Sequence, residues 1–247
     1  MTGQVFPYDV VTLTETRLGL IALQSDETIE RDMRLMLPQE ATLFVSRVPS
    51  DVEVTSATLS AMEGHLSAAA SLFPLGAPLD AVGYGCTSGT AQIGVENVAD
   101  KVRLAAEVTQ VTQPLTSVIE ACRALGVARV ALLSPYVAQV SERLRKVLAD
   151  AGIETPAFGS FEASTEATVV RISSASIMDA ATSLMAGADV DALFISCTNL
   201  RTMDVIVPLE AQLGKPVLTS NQVLAWHMMH LSQTTPSDRA PGRLFQR

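Results

Sequence analysis

Short apolar runs and amphipathic stretches alternate along most of the chain. RLGLIAL (17–23) has strand length, and QSDETIERDMRLML after it opens with polar capping residues and continues at helical spacing. ATLFVSRV (41–48) predicts a second strand, and TSATLSAMEGHLSAAASLF (55–73), rich in Ala, Leu and Met, predicts a helix. DAVGYG (80–85) is strand-like, SGTAQIGVENVADKVRLA is helical, and EVTQVT (107–112) is a strand again. SVIEACRAL (117–125) predicts a helix ending at Gly126, followed by strand ARVALLS (128–134) and helix VSERLRKVLADA (140–151), which stops at Gly152. DVDALFIS (189–196) reads as a buried strand, and KPVLTS (215–220) as another. Strands separated by helices of this length make βαβ units, so the expected class is α/β with mostly parallel sheet.

The pattern also repeats. DAVGYGCT, from Asp80 to Thr87, and DALFISCT, from Asp191 to Thr198, each run from Asp-Ala through an apolar stretch to Cys-Thr, at an offset of 111. Arg17-Leu-Gly-Leu-Ile compares with Arg129-Val-Ala-Leu-Leu, and Glu30-Arg31 with Glu142-Arg143, at an offset of 112. VTQP (111–114) and LTSN (218–221) form a further pair, each opening a helix. Four matches in the same order predict a duplicated unit: two similar Rossmann-like lobes with parallel sheets, facing each other across a cleft. The expected division is residues 1–115 with 221–247 in the first lobe and 116–220 in the second. Ligands in open α/β sheets bind beyond the carboxyl ends of the strands, where both cysteines of the repeat fall.

Composition narrows the partners. The chain has 247 residues, 48% of them hydrophobic and 17% charged, which is the profile of a globular protein with a large core. A net charge of −9 argues against nucleic acid or an anionic membrane surface as the main partner. No apolar run approaches the roughly 20 residues of a membrane span. The N-terminal MTGQVFPYDVVTLTETR carries acids and no basic n-region, so the expected location is cytoplasmic. Three cysteines without framework spacing fit reduced thiols. There is no CxxC or HExxH, and His65, His227 and His230 lack partner ligands, so no metal site is expected.

The two matched cysteines carry the candidate chemistry. Cys86 precedes the polar turn Thr87-Ser88-Gly89-Thr90, and Cys197 precedes Thr198-Asn199. A thiol at a strand-to-helix turn lies near free backbone amides and the positive end of a helix dipole, both of which lower its pKa. The same amides, with the side chains of Thr87, Ser88, Thr198 and Asn199, can hold a carboxylate. Two such sites face to face would place one thiol on either side of a small anion. One would remove a proton or add as nucleophile while the other donates a proton, with no cofactor needed. An isolated cysteine at a strand end is more often a small core residue, but two at matched positions favour function. Cys122 shares an apolar helix face with Val118, Ala121 and Leu125 and reads as core.

Ser25-Asp26-Glu27-Thr28 follows the first strand and either caps a helix or reaches the cleft, with Asp26 the residue of interest. Tyr136, at the matching position of the second lobe, offers a hydroxyl to a bound anion. Thr219, Ser220 and Asn221 precede WHMMH and cap that helix or bind substrate; Trp226 and its neighbouring methionines read as packing.

GYGCTSGT, SCTNL, the paired βα lobes and the length resemble the aspartate/glutamate racemase superfamily, in the branch of maleate isomerase and arylmalonate decarboxylase. Within that branch LIALQSDETIERDM, PLDAVGYGCTSGT, DALFISCTNLR and VLTSNQVLAWHMM are most similar to the ectoine-utilisation members, and the likeness covers about residues 15–235. The resemblance implies pseudo-twofold lobes, opposed catalytic cysteines at Cys86 and Cys197, and a homo-oligomer. It also implies a substrate-binding role for Tyr136. Both cysteines are present, as in the racemases and maleate isomerase, whereas the decarboxylase keeps only the second. Maleate isomerase adds a thiolate to a double bond, lets the new single bond rotate, and eliminates; its first-loop asparagine falls on Asp26, and its later one has no clear match near Glu166. An ionised Asp26 would repel a dicarboxylate but accept a hydrogen bond from a substrate ammonium.

The expected function is therefore a cofactor-independent racemase or isomerase of a small carboxylate, with an amino-acid or diamino-acid derivative favoured. The alternatives are cis-trans isomerisation of an unsaturated dicarboxylate and a non-enzymatic small-anion binding module.

Overall fold

The computed structural model describes residues 3–246. Residues 3–16 run largely exposed and without regular structure up to the first strand. The first half then follows as β1 (Arg17–Leu23), α1 (Ile29–Met36), β2 (Thr42–Val48), α2 (Ser56–Ala61), α3 (Glu63–Ala70), β3 (Leu79–Tyr84), α4 (Thr87–Ile93), α5 (Val95–Arg103) and β4 (Val108–Thr112). The second half carries α6 (Pro114–Leu125), β5 (Arg129–Tyr136), α7 (Ala138–Asp150), β6 (Glu154–Ala163), α8 (Glu166–Val169), α9 (Ser174–Met185), β7 (Ala192–Ile195), α10 (Met203–Leu213), β8 (Val217–Thr219) and α11 (Ser220–Leu231). A 3-10 turn, Arg243–Gln246, closes the described chain.

The strands form two four-stranded, wholly parallel sheets, in the orders β2-β1-β3-β4 and β6-β5-β7-β8. Each order becomes the other when every strand moves four places along the chain, so the sequence repeat is a repeat of topology. The inner strands are covered on both faces by helices and therefore read as unbroken apolar runs: every residue of β7 is buried, and all of β1 after Arg17.

The aspartate that opens each repeated stretch has the same task in both sheets. Asp80 Oδ2 accepts the Arg17 amide at 2.8 Å, and Asp191 Oδ2 accepts the Arg129 amide at 2.9 Å and the Ala128 amide at 3.0 Å. Each carboxylate satisfies a backbone donor at the start of the neighbouring strand and fixes where that strand begins.

Helix α11 returns to the first sheet and packs on β3, β4 and α1 while also lying along α6. Gly83 permits this approach, because a Cβ there would stand 2.6 Å from Met228 Sδ. Cys122 lies in the core beneath the second sheet with Val118, Ala121, Leu132 and Phe194.

Several expectations change. The helix expected over 55–73 breaks at Met62 into α2 and α3, and the one after Cys86 breaks at Gly94, whose φ is +97°. KPVLTS yields only three strand residues, and Ser220 already belongs to α11. The strand expected over 128–134 runs on to Tyr136, its buried last residue. The segment 153–188 and helix α10 are not announced by the pattern: β6 is a half-exposed edge strand with Pro156 and Gly159, and α10 carries Pro208 inside it. Among the described residues no helix is long and apolar enough to cross a membrane.

Candidate active site

The sheets end with their carboxyl edges toward each other, and the two Cys-Thr segments meet there. Cys86 leaves β3 and becomes the N-cap of α4, its Sγ accepting the Gly89 amide at 3.2 Å. Only glycine fits at position 89, since a Cβ would lie 2.8 Å from that sulfur and 3.0 Å from the Tyr84 hydroxyl. Cys197 leaves β7 with φ +116°, a conformation that costs a non-glycine residue about 1–3 kcal/mol. The turn brings the Asn199 amide to 3.3 Å and the Tyr136 hydroxyl to 3.0 Å from Cys197 Sγ.

The residues flanking the cysteines join the lobes. Thr198 Oγ1 donates to the Gly85 carbonyl at 3.0 Å, so the residue after the second cysteine holds the residue before the first. Thr87 Oγ1 and Ser220 Oγ share a 2.7 Å bond, and Ser220 Oγ also accepts the Cys197 amide at 2.9 Å. Thr87, Thr198 and Asn199 are thus held in the wall of the site, and Ser88 is buried in the first turn of α4. Asn199 Oδ1 accepts the Glu27 amide at 2.9 Å, while its Nδ2 donates to Glu166 Oε2 at 2.8 Å.

Two buried carboxyl groups complete the site. Asp26 Oδ1 accepts the amides of Thr28 and Ile29, both at 2.8 Å, and so caps the start of α1. Its other oxygen, Oδ2, is buried with no hydrogen-bond partner among the described residues. The Thr198 hydroxyl lies near it, but its single proton goes to Gly85. Arg47, the nearest cation, spends its guanidinium on the Leu23 and Asp26 carbonyls and on Glu30. Glu166 Oε1 accepts the Tyr136 hydroxyl at 2.6 Å. Sequence reasoning did not place Glu166 in the site, and nothing in the apolar pattern of the short helix α8 signals it. The Val54 amide donates to the Ser164 carbonyl at 2.9 Å and Glu53 bridges to Thr165, which draws the loop after β2 over Glu166. A narrow crevice lined by Ser25, Asp51, Glu53, Met62 and Glu166 runs in from this point.

Burial controls the protonation of the whole group. It raises both carboxyls, against hydrogen bonds from Ile29 and Thr28 at Asp26 and from Tyr136 and Asn199 at Glu166. It pushes Cys86 up to about 12, and Cys197 well above the ordinary thiol value, with Glu166 adding to the rise at both. The expected lowering of the thiol pKa at strand-to-helix turns is therefore corrected. One amide per sulfur does not offset a desolvated site holding two carboxyls, and both cysteines rest as thiols.

The remaining candidates serve packing. His227 Nδ1 sits 2.8 Å from Thr112 Oγ1, its ring stacks with Trp226, and burial lowers its pKa to about 4. Thr219 caps α11 through Gln222, and Asn221 Nδ2 donates to Asp32 and to the Thr198 carbonyl, both at 2.8 Å.

Residues 79–245, which hold both cysteines, Tyr136 and Glu166, match the arylmalonate decarboxylase family. The chain belongs to that family. The arylmalonate decarboxylase of Bordetella bronchiseptica is 33% identical over a match spanning 53% of this chain and 55% of that enzyme. The maleate isomerase of Nocardia farcinica is 26% identical over 93% of this chain and 95% of its own. Among solved structures, maleate isomerase Iso from Pseudomonas putida S16 superposes with a TM-score of 0.81 at 23% identity, covering 94% of this chain and 98% of that one. A cysteine-to-serine mutant of the Nocardia farcinica isomerase, solved with a covalently bound succinylcysteine intermediate, superposes with a TM-score of 0.80 at 23% identity, covering 93% and 98%. This member of the arylmalonate decarboxylase family thus shares its fold with solved maleate isomerases, and it superposes on a solved arylmalonate decarboxylase with a TM-score of 0.73 at 24% identity, covering 94% of this chain and 99% of that one.

Proposed function

We propose that this protein is a cofactor-independent isomerase in which Cys86 and Cys197 work on opposite sides of a small carboxylate bearing an amino group, racemising it at Cα. The observation that carries the reading is Asp26 Oδ2, a buried carboxylate oxygen left without a hydrogen-bond partner among the described residues. Such an atom is costly unless a ligand donor meets it, and a substrate ammonium is the donor that also balances its charge. A second carboxylate on the substrate would instead face both Asp26 and Glu166. The resemblance to the ectoine-utilisation members of the branch agrees with an amino-acid or diamino-acid derivative.

In this reaction one thiolate takes the Cα proton as the opposed thiol delivers another, and the neighbouring amides hold the substrate carboxylate. The Gly89 and Asn199 amides already point at the two sulfurs and stabilise whichever carries the charge.

Incubation of small amino and diamino acids with the protein in deuterium oxide tests the reading. Deuterium is expected at Cα, and Cys86→Ser and Cys197→Ser are each expected to abolish the exchange; full activity in both variants would sink the two-thiol mechanism. Cis-trans isomerisation of an unsaturated diacid is the second reading, favoured by the maleate isomerase likeness over 93% of the chain. Loss of maleate absorbance as fumarate forms reports it directly.

A further inference from the structure

The two thiols are not equivalent in their surroundings. Beside Cys86 stands Tyr84, whose hydroxyl bonds the thiol and Met62 Sδ, the latter at 3.7 Å, with no carboxylate behind it to take a proton. Beside Cys197 stands Tyr136, whose hydroxyl is 3.0 Å from Cys197 Sγ and 2.6 Å from Glu166 Oε1. A phenol has one hydrogen. With Glu166 ionised that hydrogen lies toward Oε1, so the contact with sulfur must use the thiol proton: Sγ–H donates to the phenol oxygen. Three groups then form one directed chain, Cys197 to Tyr136 to Glu166.

We infer that Glu166 is the proton acceptor and store for Cys197, acting through the Tyr136 hydroxyl. In the forward step the S–H bond breaks and its proton bonds to the phenol oxygen. The former phenol hydrogen moves at the same time to Glu166 Oε1. One proton has passed from sulfur to carboxylate, one negative charge has passed the other way, and Tyr136 is unchanged. The geometry serves both ends of the transfer: protonated Oε1 then donates to the phenol oxygen, whose hydrogen turns to the thiolate. Asn199 spans the same pair, its Nδ2 on Glu166 Oε2 at 2.8 Å and its backbone amide on Cys197 Sγ at 3.3 Å. It therefore supports the charge at whichever end holds it.

Two physical points favour the chain. A buried site with two carboxyls disfavours a third negative charge, and internal transfer makes a thiolate without adding one. Burial also raises the proton affinity of Glu166, bringing the acceptor closer to the thiol it must relieve. The titratable groups facing Glu166 are Asp26, Tyr136 and the two thiols, with Asp51 and Glu53 along the crevice. Glu166 acts through Tyr136 and is a positioning residue; Cys197 is the group that meets the substrate. The inference rests on the reading of Cys197 as an acid-base group, and its test needs no substrate.

The test follows the alkylation rate of Cys197 by neutral iodoacetamide against pH, in a C86S/C122S protein where Cys197 is the one thiol. Direct ionisation gives a rate that climbs about tenfold per pH unit up to the thiol pKa. Internal transfer adds a plateau at lower pH, beginning where Glu166 loses its proton, because the one-proton pair then holds a fixed fraction of thiolate. The plateau is expected in the parent, absent in E166Q, absent in Y136F, and restored with a shifted onset in E166D. A purely structural role for Glu166 predicts a monotonic climb in all four proteins and overturns the inference, whereas charge repulsion without a hydrogen-bonded path predicts a plateau in both the parent and Y136F. A plateau that survives Y136F overturns the path through Tyr136, and one that survives E166Q overturns the acceptor. If E166Q fails to fold, Y136F against the parent decides alone. A plateau with no exchange of any amino substrate would leave the relay standing and count against the proposed function only.

Discussion

Thr198 donates its hydroxyl hydrogen to the Gly85 carbonyl across the cleft at 3.0 Å, tying the residue after one cysteine to the residue before the other. Thr87 and Ser220 complete the tie from the other side. The spacing of the two thiols therefore rests on threonine hydroxyls, and the Thr of each Cys-Thr pair acts on the opposite half of the site. Thr198→Val keeps the shape and removes the donor, leaving the Gly85 carbonyl buried without its partner. The expected cost is about 1–2 kcal/mol in chemical denaturation, with a larger fall in kcat than in substrate affinity. Unchanged stability and unchanged turnover would show that the tie does not hold the thiols.

Asp26 divides its two oxygens between a helix cap and the cleft. Asp26→Asn keeps an oxygen for the Thr28 and Ile29 amides, so the fold is expected to survive with little loss. The charge facing the substrate disappears. For an amino substrate KM is expected to rise at least about tenfold, the scale of a lost charge-assisted hydrogen bond, while any activity on maleate should increase. Steady-state kinetics on both substrate types checks this; a fall in maleate activity together with an unchanged KM for the amino substrate would rule out an ammonium partner.

Asp32 provides a pH signature in stability. It is fully buried, and burial lifts its pKa from 3.8 to about 6 against the hydrogen bond from Asn221 and the charge of Arg31. A raised carboxyl binds its proton more tightly when folded. Between about 3.8 and about 6 the unfolded chain releases the proton first, so this group's contribution to stability falls as pH rises and stays low above that window. Asp26 and Glu166 act in the same sense. Asp32→Asn cannot ionise, so its Tm is expected to exceed the parent's at pH 8 and to converge with it near pH 4. Calorimetry at the two values decides the matter, and a constant gap would refute the assignment.

Asp80 and Asp191 should behave as a matched pair. Each holds the amide that starts the neighbouring strand, Arg17 in one sheet and Arg129 in the other. Asp80→Ala and Asp191→Ala are each expected to cost about 1–2 kcal/mol in urea unfolding without touching the cleft chemistry. A large effect at one and none at the other would mean that the two halves no longer use the repeated aspartate alike.

The candidate site was only partly legible. Cys86, Cys197, Asp26, Thr198 and Asn199 stood out because they follow strands, where side chains of an α/β sheet converge, and Tyr136 because it sits at the matching position of the second lobe, where it ends β5. Glu166 did not, because it sits on a four-residue helix after an edge strand whose burial pattern is mixed. The direction of the thiol pKa was also misread. The amide contacts are local and follow from the strand-to-helix turns, but the burial and the carboxyls of Asp26 and Glu166 that override them come together only in the folded chain.

The sequence by itself determined the α/β class, most strands, and the doubling of a Cys-Thr segment, because these follow from short-range apolar periodicity and a repeat visible in the residues. Only the tertiary structure decided that the two segments bond to each other, that Asp26 keeps one oxygen unpartnered, and that Tyr136 stands between Cys197 and Glu166. Those relations join residues far apart in the chain, 113 positions in the bond from Thr198 to Gly85. They depend on how two sheets close on one another, and no local pattern in the chain encodes that closure.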